Sequence, residues 1–365
     1  MHTHFQAATM LQKKLDELPD YRMYYLYGKW RNIANAADFS FGRFPYFVGV
    51  GNGTLDGGMV TIRALENALR VTVYGGANVP YDLSIDNWGP IKNNFSLGGQ
   101  ILTTALHNAR IGLSYMNRWR ERDPYWAIRA DSLLNPLAML VTPDAAKEQY
   151  LSGDASYQWN DVGFYGRYDY DLNFKKTQRS QFGVRFNVSN DLSLSGEYIH
   201  RAPRLAYNSF FSVFSLSNVD EFEGGCDYVF LPAWRAFVRG AYVKYTDDTS
   251  LRYTVGLAHN YASVTYRGGN GYAGELNSVS VQGAYPFFDR MLIPNAGISF
   301  ISYKLNDADK QEDALAGTLG ATVRPAQFVS VDLQVQWLRN KIVESDVRFF
   351  GKLNVWFSER LTIFE

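Results

Sequence analysis

The chain has 365 residues, with 25 Tyr, 24 Phe, 8 Trp and 31 Gly but a mean hydropathy of only -0.24, and its 36 Lys plus Arg balance 36 Asp plus Glu. That balance argues against a general nucleic-acid binder, which needs a basic excess. The single Cys226 excludes an intrachain disulfide framework and a multi-cysteine metal cluster, and no apolar run reaches the roughly 18 to 20 residues of a membrane helix.

In chain order, residues 1–20 read as a loop or short helix, with Leu11, Leu15 and Leu18 on one helical face. No basic segment followed by an apolar one opens the chain, so a processed or non-native start is expected. From Tyr21 almost to the end, alternating segments of about 9 to 12 residues follow one another, the length of transmembrane strands. In 110–120, Ile111, Leu113, Tyr115 and Trp119 oppose Arg110, Ser114, Arg118 and Arg120. In 181–188, Phe182, Val184, Phe186 and Val188 oppose Gln181, Gly183, Arg185 and Asn187, and in 251–257 Tyr253 and Val255 oppose Arg252 and Thr254. The clearest segment is 328–337, where Val329, Val331, Leu333, Val335 and Trp337 oppose Ser330, Asp332, Gln334 and Gln336. Such alternation also fits a water-soluble antiparallel sheet, so the connections decide.

The connections are asymmetric. Short turns fall at 66–68, 107–109, 189–191, 231–233, 259–260, 287–289 and 324–327, and between them lie longer polar stretches at 80–93, 121–147, 204–218, 268–274 and 306–313. Short periplasmic turns and long outer loops are the layout of a bacterial outer-membrane barrel. Aromatics near segment ends agree, because Tyr and Trp favour the membrane interface: Tyr24, Tyr25, Tyr27 and Trp30, Tyr46 and Phe47, Trp234, Phe287 and Phe288, Trp356 and Phe357. The expected fold is all-β, a transmembrane antiparallel up-and-down β-barrel of about 18 strands over 21–365. With the short turns in the periplasm, another strand should precede Tyr21, yet nothing before it reads as one. Ser358 to Arg360 reads as a turn into a further segment, so the chain is expected to be the whole or a segment of a slightly larger barrel.

The alternating region resembles Gram-negative outer-membrane barrels of the porin type. A closer likeness lies at Phe41-Gly-Arg-Phe44, Gly49-Val-Gly-Asn-Gly-Thr-Leu-Asp-Gly57 and Val71-Thr-Val-Tyr-Gly-Gly76. This is similar to segments of alginate-export-like porins, in which a strand with Gly-Arg reaches a tight loop and returns through Asp-Gly. It covers about 40 residues. The resemblance implies passage of polar or anionic solutes through a lumen, without catalysis.

Charge on a lipid-facing strand position costs about 2 to 4 kcal/mol at the midplane, so charges on strands should point into the lumen. The lumen-facing basic set is then Arg63, Arg70, Arg110, Arg118, Arg167, Lys175, Arg185, Arg239, Arg252, Arg267, Arg324, Arg348 and Lys352, against fewer acids, Asp169, Asp171, Glu197 and Asp332. Some of these cations are expected to pair with acids. The surplus is expected to concentrate anionic small solutes or acidic oligosaccharides. The stretch 121–147 is unusually apolar for a loop, with Tyr125, Trp126, Ile128, Leu133, Leu134, Leu137, Met139, Leu140 and Val141. Packed inward on the wall, it would set Arg122, Tyr125, Trp126 and Arg129 beside Arg118 at a constriction; packed outward, it would cap the mouth.

No catalytic, cofactor or metal site is expected. Gly269 to Gly274 matches the dinucleotide fingerprint by letters, but a strand follows it instead of a helix. The five histidines are dispersed, without metal-ligand spacing. The loop acids Asp247, Asp248, Asp307, Asp309, Glu312 and Asp313 lack calcium-loop spacing and read as solvated charge, with cation-bridged lipopolysaccharide as the alternative. Outer-membrane lipid and lipopolysaccharide are the expected surroundings. The competing functions are a structural outer-membrane barrel that holds a periplasmic or electron-transfer partner, and an outer-membrane hydrolase, for which no recognisable nucleophile setting is present.

Overall fold

The computed structural model describes residues 2–8, 20–80, 83, 91–121, 124–130, 135–142, 146–204, 218–271, 274–304 and 309–356. Among them every regular element is a strand. The chain divides into two units, residues 1–183 with 199–218 and residues 184–198 with 219–365.

The first unit is a meander of β1 (His2–Ala8), β2 (Asp20–Ile33), β3 (Ala37–Val48), β4 (Gly51–Ala64), β5 (Leu69–Asn78), β6 (Phe95–Thr103) and β7 (Ala109–Arg120). A separate hairpin of β8 (Tyr125–Ala130) and β9 (Pro136–Val141) interrupts it, and β10 (Ala146–Trp159) and β11 (Val162–Asp171) resume it. Each strand pairs antiparallel with the next, β10 pairing with β7 across the inserted hairpin. Strands β12 (Lys176–Asn187) and β13 (Leu192–Arg201) each divide between the units.

In the second unit, β14 (Val219–Leu231), β15 (Trp234–Lys244), β16 (Thr249–Ala258), β17 (Ala262–Gly271), β18 (Glu275–Ala284), β19 (Leu292–Lys304), β20 (Glu312–Ala326), β21 (Val329–Arg339) and β22 (Asp346–Val355) form a second antiparallel meander. The fold class is therefore the expected one, an all-β antiparallel up-and-down meander. The N-terminal expectation is corrected: His2 to Ala8 pairs with Tyr27 to Asp20, so a strand does precede Tyr21. Its alternation is too short to stand out by period. The stretch Met10 to Leu18, read as a helical face, lies outside the described residues.

The short turns follow from residues that tolerate a left-handed backbone. Asn35, Asn67, Asn108 and Asn160 have φ between 47° and 73°, conformations that Asn adopts more readily than most residues. Each turn returns the chain to the neighbouring strand, so alternation converts directly into two faces. One face carries exposed apolar side chains, such as Val60, Ile62, Val73, Ile101 and Leu113 in the first unit and Val238, Val264, Val281, Ile298, Leu319, Leu333 and Leu353 in the second. Water would leave this surface unfavourably wetted, whereas lipid covers it at no cost in backbone hydrogen bonds, since the ladders already satisfy them. Cys226, between Gly225 and Asp227 on β14, takes the same apolar face as Phe222 and Tyr228.

Aromatic rings gather at the short-turn end of the second unit. Trp234, His259, Tyr261, Tyr285 and Phe287 succeed one another with centroid separations of 4.8, 5.4, 4.7 and 4.9 Å, and Phe230 sits 6.3 Å from Trp234. A belt of amphipathic rings across neighbouring strand ends is how a membrane-spanning sheet meets the headgroup level.

Candidate functional site

The polar face of the first unit is built in rows across the ladders. One row runs Thr61, Thr72, Gln100, Ser114, Ser152 and Asp169, and the next runs Met59, Tyr74, Gly98, Met116, Tyr150 and Asp171. Over these rows lies the end of the β3–β4 hairpin. Beyond the Leu55 to Asn78 pairing, β4 has no register partner on β5. Its tip crosses β5, β6 and β7 and reaches β10.

The tip is held at several points. Phe44, Tyr46, Val48 and Leu55 cluster with Tyr74, and Val50 clusters with Met116 and Tyr150; all are at most 6% exposed. The Tyr46 and Tyr74 rings are 4.4 Å apart. The Val50 amide donates to Ser114 Oγ at 3.0 Å, and the Tyr46 and Ser96 hydroxyls share a bond of 2.9 Å. Arg118 donates to Tyr46 Oη at 2.9 Å and to the Asn52 carbonyl, and lies 3.5 Å from a Glu148 carboxylate oxygen.

The glycines in Gly49-Val-Gly51 make this contact possible. Gly49 has φ 59°, and a Cβ there would collide with Ser114; a Cβ on Gly51 would collide with the Tyr74 hydroxyl. Tyr74 Oη is itself buried without a hydrogen-bond partner among the described residues. Tyr74→Phe is therefore expected to leave stability unchanged or raise it by about 1 kcal/mol, since it removes an unsatisfied polar atom and keeps the ring. Urea midpoints of the folded protein measure this, and a loss of more than about 1 kcal/mol would mean that the hydroxyl has a partner.

At the base of this hairpin, Arg43 and Asp56 form a bidentate pair, Nε to Oδ1 and Nη2 to Oδ2 both at 2.8 Å, with the Arg43 side chain 1% exposed. The Arg43 Nη1 also donates to the Met23 and Leu83 carbonyls. The Gly-Arg and Asp-Gly of the sequence motif thus face each other across two strands.

The thirteen expected lumenal cations separate into two groups. Arg63 pairs with Asp38 at 2.8 Å, Arg110 with Asp154 at 3.2 Å, Arg118 with Glu148, Arg167 with Asp169 at 2.8 Å, Arg239 with Asp227 at 2.5 Å, Arg252 with Glu221 and Arg348 with Asp346 at 2.6 Å. Asp169 also takes Ser152 Oγ at 2.5 Å and Arg204 at 3.5 Å. Arg70, Lys175, Arg185, Arg267, Arg324 and Lys352 form no ion pair among the described residues. The expectation that acids are few on this face is corrected. Glu148, Asp154, Glu221, Glu223 and Asp227 also belong to the polar face, each alternating with an outward residue in strands too mixed to show it by composition.

In the second unit, Glu221, Glu223, Arg239, Arg252 and Arg267 line a cavity of about 460 Å³. A second hollow of about 590 Å³ is lined by uncharged groups including Ser263, Ser280, Gln282, Asn295, Ser299 and Thr318. Beyond the strands, Lys341 is held above the ordinary lysine range by its hydrogen bond to Glu312, 2.7 Å away.

The expected constriction loop differs from its description in the sequence. It contains strands, with Tyr125 to Ala130 paired to Val141 to Pro136. Among its described residues, the apolar side chains of Tyr125, Trp126, Ile128, Leu137 and Leu140 are between 49% and 78% exposed and no wall covers them, while Leu133 and Leu134 lie outside the described residues. Arg122 lies outside the described residues, and Arg129 is placed only as the register partner of Leu137. Tyr46, expected at a membrane interface, is instead buried on the polar face.

No family model and no curated protein matches the chain. Among solved structures it is similar to Pseudomonas aeruginosa OpdQ, at 10% identity over 87% of this chain and 94% of that one, with a TM-score of 0.47. It is also similar to the P pilus usher PapC translocation pore, at 8% identity over 94% and 88% of the two chains with a TM-score of 0.43. A bacterial polysaccharide outer membrane secretin is similar at 8% identity over 81% and 100%, with a TM-score of 0.40.

Proposed function

We propose that the chain is an outer-membrane channel for diffusion of small polar solutes, with a preference for anions such as sugar acids, phosphates or acidic oligosaccharides. The observation that supports the channel reading is the two-sidedness of the ladders: in both units an exposed apolar face backs a face of Ser, Thr, Gln and paired charges. A sheet that is apolar outside and polar inside suits a lipid boundary around an aqueous path. The anion preference rests on Arg70, Arg185, Arg267, Arg324 and Lys352 on the strands and Lys175 in the β11–β12 turn, none of which forms an ion pair among the described residues, against Asp171, Glu223 and Asp332, the last opposite Lys352 in the register, as polar-face acids that likewise form none. Fixed cations on low-dielectric walls raise the local anion concentration.

Reversal potentials in planar bilayers under a salt gradient test this reading. Anion preference is expected, and it should weaken in the Arg185→Gln, Arg267→Gln and Lys352→Gln triple variant. Cation preference in the wild type would remove the anion part. Absence of conductance together with a co-purifying periplasmic protein would favour a barrel that holds a partner.

A further inference from the structure

We propose that the tip of the β3–β4 hairpin restricts the channel, with Phe47 as the residue facing the solute path and Arg118 as the pin that keeps the tip down. This rests on the channel reading above and names the element that would set its size limit. Three observations converge on it.

The first is reach. Val50 is seated on Met116 and Tyr150, so the tip spans from β4 to the β7–β10 pair. Crossing that many strands at their usual spacing carries it roughly 15 to 20 Å over the polar face.

The second is the hairpin's own sidedness. Tyr46, Val48 and Val50 face the sheet and are at most 6% exposed, while Phe47 on the opposite face is 83% exposed and pairs in register with Asn52, which is exposed too. An aromatic ring standing on the free side of a segment that covers a polar wall is an apolar restriction, of the kind that limits flow by excluding water and bulky solutes.

The third is the fastening. Residues 51–54 have no ladder to β5, so the tip depends on side-chain contacts. Arg118 joins both hairpin strands, through Tyr46 Oη and the Asn52 carbonyl, to β7 and through Glu148 to β10. Among the described residues, the β8–β9 hairpin has no comparable seat, because Tyr125, Trp126, Ile128, Leu137 and Leu140 are exposed.

Thiol labelling and conductance on the full chain test the proposal, in a Cys226→Ser background. With a membrane-impermeant maleimide, Phe47→Cys should react at least about tenfold faster than Val50→Cys, because burial of the second site requires local opening before reaction. Adding Arg118→Ala should bring the two rates together. In planar bilayers, Phe47→Ala and Arg118→Ala should each raise single-channel conductance at least about twofold by widening an apolar restriction, and deleting residues 125–141 should not. Phe47→Ala trims an exposed side chain and so does not depend on how well Arg118→Ala folds.

Equal labelling of Val50→Cys and Phe47→Cys would overturn the docked tip. Protected Val50→Cys with a finite conductance that neither hairpin variant changes, or that only the 125–141 deletion raises, would overturn the restriction alone. Protected Val50→Cys with no current from the wild type or from any variant would instead remove the channel reading, and the restriction with it, while the docking stands.

Discussion

Leu333→Arg is expected to destabilise the protein by about 2 to 4 kcal/mol, although Leu333 is 54% exposed. In water, a substitution at so open a position stays within about 0.5 kcal/mol of wild type. Leu333 lies mid-strand on β21, opposite Ala321 on one side and Gly351 on the other, where a lipid-facing side chain is far from either headgroup layer. Its neighbour Gln334 takes the polar face, so Gln334→Arg serves as the control and should be tolerated. Urea midpoints of the folded, heat-modifiable form in lipid vesicles measure both. A Leu333→Arg variant as stable as wild type would mean that this face meets water, and the outer-membrane reading would go with it.

The second large effect is expected at Arg43 and Asp56. Arg43→Met leaves the Asp56 carboxylate beside an apolar side chain, and Asp56→Asn removes the charge that the fork of a guanidinium only 1% exposed contacts at both oxygens. Removing one partner of a buried pair costs about 3 to 5 kcal/mol, mostly through the charge left behind. The geometry is favourable, since the fork contacts both carboxylate oxygens at 2.8 Å and its remaining nitrogen is taken by two carbonyls. The double variant Arg43→Met, Asp56→Leu should recover most of the loss, because apolar replacement of a whole buried pair is often neutral. Singles that cost less than about 1 kcal/mol would place the pair in the solvated class.

Much of the fold was legible because period-two alternation is a local property. The faces assigned to 110–120, 251–257 and 328–337 are those the ladders present, since turns such as 66–68 and 107–109 return the strand at a fixed register. Two things were not local. The acids Glu221, Glu223 and Asp227 alternate with Phe222, Gly224 and Cys226, a segment whose apolar positions are too weak to declare a face until β15 sets Arg239 opposite Gly225. The tip at Gly49 to Gly53 reads equally well as a turn in water. What distinguishes it is its contact with Ser114, 64 residues away, and the only signal was three glycines at alternate positions, where backbone comes close to Ser114 and Tyr74. The apolar stretch at 121–147 drew attention instead, because composition is visible in sequence and seating is not.

The seat of the hairpin tip also imposes an order of assembly. Val50 cannot be seated until β7 has supplied Met116 and β10 has supplied Tyr150, whereas the β3–β4 ladder itself joins near neighbours in the chain. Contacts that must wait for distant partners form late and contribute little to the folding barrier. Weakening the seat should then leave the refolding rate almost unchanged and appear as faster unfolding. A nascent chain could complete its ladders while this polar face is still open, and cover it only afterwards.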